Sequence, residues 1–286
     1  MDQSRVPIKI SIVTATYNRA EFLHRCIESV AGQSYPNKEH IIIDGGSTDS
    51  TVSILRSFAS KYPHIQWISE TDQGISEAFN KGLARATGDV IGIIGDDDFY
   101  EPEVFGFIAE QFAADLSISV LSGDCNFVDN NGAVRAIQTA SYTSRADLIE
   151  GWLHWGKRIR IAAPSTFIRK RVIDEVGGFD ENDRYAMDYH HWLKITERFP
   201  AITTVPRVFA NFRLDQGTVS FSEGARQWTE MLTISRKYWG PKSSRMYYRL
   251  LFSYLRHCRW VPLKNRLRSR AARMLRGSPA PVPFRR

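Results

Sequence analysis

Three acidic clusters stand at the ends of successive β-branched runs, and carboxylates arranged this way can hold a cation. Ile41-Ile42-Ile43 runs into Asp44-Gly45-Gly46, Ile65-Gln66-Trp67-Ile68 into Glu70-Thr71-Asp72, and Val90-Ile91-Gly92-Ile93-Ile94 into Gly95-Asp96-Asp97-Asp98. Each run is short, apolar and followed by a helical pattern, which predicts βαβ units with buried parallel strands. Ligands of open α/β sheets bind beyond the carboxyl ends of the strands, so the clusters are expected to converge on one crevice. Carboxylates at close range repel one another unless a cation compensates. Mn²⁺ or Mg²⁺, which take hard oxygen ligands, meets that need while carrying a phosphorylated ligand.

The elements that must position these groups follow from periodicity. Residues 8–14 form the first predicted strand, ending in Ala15-Thr16-Tyr17-Asn18. A helix over 21–31 turns Phe22, Cys26, Ile27 and Val30 inward, and Gly32 stops it. Strand two covers 40–44, and Ser47-Thr48-Asp49 opens the next helix with capping hydroxyls and a first-turn acid. Strand three covers 65–69, a helix 75–86 and strand four 90–94, after which Pro102 starts a helix reaching residue 113. The alternation then lapses. Asp129-Asn130-Asn131-Gly132 reads as the turn of a hairpin between 120–128 and 133–139. Beyond it come a helical stretch at 148–155, a strand at 159–168 and a short helix at 170–176 closed by Gly177-Gly178. A helix at 188–199, a strand at 202–212 and a helix at 222–239 follow.

Composition bounds the class. A hydrophobic share of 43% and a charged share of 24% over 286 residues are those of a globular chain. Cys26, Cys125 and Cys258 lie far apart, with neither metal-ligand spacing nor a disulfide framework. A reducing, cytoplasmic location is expected, with no leader peptide and no span of the ~20 apolar residues a bilayer requires. The net charge of +7 is uneven: 13 of the 38 Lys and Arg lie in residues 241–286, which hold no Asp or Glu, and the rest of the chain nets −6.

Five motifs in order resemble the large inverting family 2 of nucleotide-sugar glycosyltransferases, which have the GT-A fold. Ser11-Ile12-Val13-Thr14-Ala15-Thr16-Tyr17-Asn18-Arg19 is similar to the opening strand. Ile43-Asp44-Gly45-Gly46-Ser47-Thr48-Asp49 is similar to the second motif, and Asp72-Gln73-Gly74-Ile75 through Asn80-Lys81-Gly82 and Gly88-Asp89 to the third. Asp96-Asp97-Asp98 resembles the metal-binding Asp-x-Asp element, and Gly177-Gly178-Phe179-Asp180-Glu181 with Asp188 the acceptor-side region. The resemblance spans residues 8–199. It implies an α/β fold with a mostly parallel central sheet flanked by helices. Residues 1–240 would form the transferase, with 1–115 as its nucleotide-binding half and 116–240 as its acceptor half, and 241–286 a helical basic extension.

Individual roles follow from chemistry and resemblance together. Tyr17 can lay its ring on a base, flanked by Ala15, Thr16 and Asn18; a core tyrosine is the alternative. Asp44 can accept from a base N–H, and its counterpart in the family reads uracil, which points to a UDP-sugar donor. Asp72 is expected to hold the nucleoside, or else to cap the following helix. By the motif, Asp98 is the direct metal ligand, and Asp96 or Asp97 meets the ribose or a metal-bound water, with Asp96 a second candidate ligand. Asp188 is the expected general base, an N-cap being its alternative and Asp180, Glu181 and Asp183 its rivals. Adjacent His190 and His191 must face different sides of a helix and are expected to pack or touch acceptor. Trp152, Trp155 and Trp192 suit either sugar stacking or core packing.

The chain departs from the family pattern at Ala15 (commonly proline), Gly95 (commonly acidic) and Met187 (often acidic). It has no Gln-x-x-Arg-Trp element of processive synthases, so single-sugar transfer to a glycan or lipid-linked acceptor is expected, in cell-surface polysaccharide or lipopolysaccharide synthesis. At about 100° per residue, Arg245, Arg249, Arg256 and Arg259 share one arc, and Met246, Leu250, Leu251, Tyr254, Leu255 and Cys258 occupy the other side, with Phe252 the exception. Such a face suits an anionic membrane surface or docking on the body of the enzyme. Nucleic acid is not an expected partner, because the acidic body lacks a basic face. A nucleotidyltransferase would want a Gly-rich basic loop after strand one, and a dinucleotide dehydrogenase G-x-G-x-x-G; neither is present.

Overall fold

The computed structural model describes residues 7–151, 161–214 and 224–238, with Tyr248, Leu251, Phe252, Leu255 and Arg256 beyond them. Among the described residues, its centre is a nine-stranded sheet in the order β3-β2-β1-β4-β8-β6-β9-β5, with β7 paired to β6. Strands β1 (Ile10–Thr16), β2 (Lys38–Asp44), β3 (Ile65–Ser69) and β4 (Val90–Gly95) run parallel. They alternate with α1 (Ala20–Ala31), α2 (Thr51–Lys61) and α3 (Ile75–Leu83). Two-residue β5 (Phe99–Tyr100) and α4 (Val104–Ala114) follow. The second half adds β6 (Val120–Val128), β7 (Val134–Gln138), α5 (Arg145–Gly151), β8 (Thr166–Arg169), α6 (Lys170–Val176), α7 (Met187–Arg198), β9 (Thr203–Arg213) and α8 (Gly224–Tyr238). Strand β8 runs antiparallel to both β4 and β6, so the sheet is mixed there.

The strand period of two sends neighbouring side chains to opposite layers. Val13, Ile41 and Ile43 pack with α3, α6 and α7, whereas Ile12 and Ile94 pack with α1 and α4. Ile42 completes a third cluster with Leu23, Ile27 and Leu55. β1 is buried along its whole length because it lies between β2 and β4. Two of its polar side chains are paired, Ser11 Oγ donating to Glu39 at 2.6 Å and Thr14 Oγ1 meeting His40 Nε2 at 3.0 Å.

Several boundaries differ from those the pattern predicts. β3 is an edge strand with half-exposed side chains, because nothing pairs with its far side among the described residues. Asp49 Oδ1 accepts the Thr51 amide at 2.9 Å, so α2 begins later than the Ser47-Thr48-Asp49 turn. Pro102 does not open α4; Glu103 takes a left-handed conformation (φ 56°) and the helix starts at Val104. The strand expected over 159–168 begins at Thr166, after a 3₁₀ turn at Ala163–Ser165. Trp152 and Trp155 lie outside the described residues, as does most of the expected basic helix. Among the described residues, no helix is long and apolar enough to cross a membrane.

Candidate active site

Register alone brings the first groups together. Thr16 lies opposite Asp44, and Ala15 opposite Gly95, across adjacent strands at one edge of the sheet. Asp44 in turn pairs with Ser69 at the end of β3. The acidic clusters therefore crest a common ridge formed by the carboxyl ends of β3, β2, β1 and β4. A Cβ on Gly45 would lie 2.7 Å from Asp72 Oδ2 and 3.4 Å from Tyr17 Cδ2, so the bare backbone of Gly45 separates these two side chains. Tyr17 is 59% exposed, so it is not a core tyrosine.

Loops after β1 and β2 are tied together by side chains. Asn18, at φ 52°, accepts the Thr48 amide at 2.8 Å and donates its own amide to Ser47 Oγ at 2.7 Å. Asp44 is fully buried; its carboxylate receives the Ser47 hydroxyl, the Ser47 amide at 3.0 Å and the Ser69 hydroxyl at 2.6 Å. These donors satisfy the buried carboxyl oxygens and fix the floor of the ridge. Asp72 Oδ1 accepts the Gly74 amide at 2.9 Å, a short Asx-type turn ahead of α3, and burial raises its carboxyl above the ordinary range.

The triple aspartate is held by two arginines. Arg19 contacts Asp96 Oδ1 at 3.4 Å through Nε and pairs with Asp97 through Nη2. Arg213, at the end of β9, donates its amide to Asp98 Oδ1 at 2.9 Å and its Nε to the Asp97 carbonyl at 3.1 Å. Both guanidiniums lie 4.8 Å from the Phe22 ring centroid. Burial first, then the charge of Asp97, pushes the Asp96 carboxyl up to about 7. The same two causes, in the same order, lift Asp98 well above the ordinary range. The Thr16 hydroxyl is buried beside them and opposes part of that rise at Asp96. Crowded carboxylates that resist ionisation suit a hard divalent cation with its water.

Asp188 occupies the first turn of α7 and accepts the Tyr189 amide at 2.8 Å. It is not the N-cap; Ala186 holds that position, and the backbone leading into α7 is fastened by Glu230 of α8. Ser76 at the start of α3 donates to the Asp183 carbonyl at 2.8 Å and lies 3.3 Å from Met187 Sδ. Because α3 begins just beyond the end of β3, this contact brings the start of α7 to the same side of the sheet as the aspartates. Burial raises the Asp188 carboxyl above its usual value.

The rival carboxylates are engaged. Asp183 contacts His190 Nδ1 at 2.5 Å, Asp180 accepts from Asn182 at 2.9 Å, and Glu181 accepts from Asn80 at 3.0 Å. His190 Nε2 meets Tyr238 OH at 3.0 Å, so both ring nitrogens are bonded. Asp180, Asp183 and His190 are close enough to hold a metal ion. Their existing bonds make them a buried polar clasp between α7 and α8. His191 is buried against Phe179, which pushes it down to about 3, and Trp192 is buried in the core. Sequence pattern assigns no role to Arg19, Arg213 or Glu230. Arg19 follows Tyr17-Asn18, but its partners lie 77 and 78 residues away.

The sheet and its flanking helices are those of the GT-A fold. The chain belongs to glycosyl transferase family 2, whose model matches residues 11–177. It is 30% identical over 203 residues to the chondroitin synthase of Escherichia coli, an alignment covering 68% of this chain and 27% of that protein. The chain thus spans about a quarter of that relative's length. Staphylococcus aureus TarS 1–349 in complex with UDP-GlcNAc superposes with a TM-score of 0.66 at 17% identity, covering 88% of this chain and 74% of that one. The mannosyltransferase PcManGT of Pyrobaculum calidifontis, in complex with GDP-Man and Mn²⁺, gives 0.62 at 18% identity, covering 96% and 77%.

Proposed function

We propose that this enzyme is a metal-dependent, inverting, non-processive transferase that moves one sugar from a UDP-sugar to a hydroxyl of a glycan or lipid-linked acceptor. The observation that carries this reading is the shared ridge of Tyr17, Asp44, Asp72 and Asp96–Asp98, with Asp188 brought to the same side by the Ser76–Met187 contact. Tyr17 covers the base, Asp44 and Asp72 hold the nucleoside, and Ala15, Thr16 and Asn18 shape the wall. Asp98, with Asp96, would hold Mn²⁺ or Mg²⁺, and Asp97 or Asp96 would meet ribose or metal-bound water. The ion supplies charge neutralisation for the departing diphosphate. Relatives described with UDP-GlcNAc, and with GDP-Man and Mn²⁺, support the donor class.

Asp188 takes the proton of the acceptor hydroxyl as its oxygen bonds to the anomeric carbon. The bond from that carbon to the diphosphate oxygen breaks, and the nucleoside diphosphate leaves with the electron pair. Its raised pKa makes Asp188 a stronger base than a solvated carboxylate. The division into a 1–115 donor half, a 116–240 acceptor half and a basic 241–286 extension belongs to the same reading. The similarity to a chondroitin synthase supports a role in polysaccharide assembly.

Calorimetric titration of UDP with and without Mn²⁺ tests the reading, repeated with Asp98→Ala. Metal-independent binding, or no loss in the variant, overturns it, and a panel of nucleotide sugars then identifies the donor. The basic extension suits an inner membrane face, a reading supported by Phe252 (69% exposed) and Leu255 (42% exposed) among the residues described there. Salt-sensitive co-sedimentation with anionic vesicles, absent with zwitterionic ones, is the expected result.

A further inference from the structure

We propose that Arg19 is a resident counter-cation of Asp96 and Asp97, a positioning residue that a divalent ion must displace before it can occupy the aspartate run. The inference rests on the metal reading above and extends it to how the site is held when no ion is bound.

Two arginines flank the run, and the geometry gives them different duties. Arg213 is 3% exposed, and its guanidinium is committed to backbone carbonyls: Asp97 at 3.1 Å, Asp129 at 3.0 Å and Asn130 at 2.7 Å. It meets Asp98 through its backbone amide, a bond that a metal ion does not need to break. Arg19 differs. Its side chain is 28% exposed, and its guanidinium is spent on the carboxylate oxygens of Asp96 and Asp97 and on the face of Phe22. Among the described residues, no other Lys or Arg pairs with those two carboxylates.

A guanidinium bridging two acids neutralises the repulsion that would otherwise disfavour their ionised forms. It also occupies the oxygens that a hard cation requires. The two cations therefore compete for one set of acceptors. Arg19 sits on the loop between β1 and α1, in a side chain long enough to leave the acids while its backbone stays bonded to Thr51 Oγ1 at 3.2 Å. Displacement then costs a partly exposed ion pair rather than an unfolded element. The consequence is a threshold: ion binding to the nucleotide-free enzyme is weakened by the strength of the Arg19 pairing.

The test is Mn²⁺ binding to the full chain without nucleotide, read by electron paramagnetic resonance of the free ion. Arg19→Met removes the charge at similar length, Arg19→Lys keeps it, and Asp98→Ala reports on the metal site itself. Arg19→Met is expected to tighten Mn²⁺ about fivefold or more, the scale of a partly buried ion pair. Arg19→Lys should stay within about twofold of the parent on the same grounds, and Asp98→Ala should bind poorly. Equal or weaker binding by Arg19→Met, with Asp98→Ala impaired, overturns the role of Arg19 and leaves the metal site standing. Parent-like binding by Asp98→Ala overturns the metal site, and the proposal with it. If Arg19→Met lowers the melting temperature, Arg19→Gln takes its place: tighter Mn²⁺ binding supports the proposal, and equal or weaker binding overturns it.

Discussion

Glu230 of α8 fastens the stretch of backbone that ends at Asp188. Its Oε1 accepts the amides of Arg184, Tyr185 and Ala186 at 3.0, 2.9 and 2.9 Å, and its charge is one of the causes that raise the Asp188 carboxyl. One carboxylate thus completes the start of α7 and tunes the residue that follows. Glu230→Ala leaves three amides without their acceptor and should cost about 1–3 kcal/mol of stability. Donor affinity should change little while kcat falls. Glu230→Gln, whose amide oxygen can still accept, should restore much of the stability; denaturant melts and kinetics check both.

Asp188→Asn should bind UDP and metal as the parent does and lose roughly 10²–10⁴-fold in kcat. Calorimetry and a donor-turnover assay separate the two effects. Retained turnover removes Asp188 from the role of base. With Asp188 as the proposed base, it must be ionised and burial holds its pKa up, so the acid limb of kcat should lie above the ordinary aspartate range. In Glu230→Gln the repelling charge is gone, so that limb should move to lower pH.

Without a bound ion, the aspartate run is expected to give a pH-dependent stability with a definite sign. Burial, then the charge of Asp97, holds the Asp96 carboxyl up at about 7 in the folded chain, against an ordinary value of 3.8. Between those values the folded state holds a proton that the unfolded chain releases, so stability is present at low pH and is lost as pH rises towards 7. Asp98 acts in the same direction. The melting temperature of the metal-free enzyme should fall across that window. Mn²⁺ should raise it near pH 7 and have little effect near pH 4, which differential scanning fluorimetry can read.

Two glycines should separate folding from binding. A Cβ at Gly82 would lie 2.2 Å from Val13 Cγ1, where α3 packs on the sheet, so Gly82→Ala should destabilise by about 1–3 kcal/mol. A Cβ at Gly45 would press on Asp72 Oδ2 at 2.7 Å, at the end of a side chain that can shift. Gly45→Ala should keep most of its stability and weaken UDP binding instead. Equal melting losses in the two variants would contradict this placement.

The β-branched runs before Asp44, Asp72 and Asp96 determined, without any structure, a parallel α/β sheet with acids at its carboxyl edge. Alternation is local, so it can be read from the chain. The motifs from Ser11 to Gly177 carried the family for the same reason. What the tertiary structure decided lies in contacts between residues far apart in sequence. Strand order made β3 an edge strand, and register set Thr16 against Asp44 and Ala15 against Gly95. Arg19 reached Asp96 and Asp97, Arg213 reached Asp98, and Glu230 rather than Asp188 fastened the start of α7. Pattern reports which face a residue turns towards; only packing between distant elements fixes which charge that face meets.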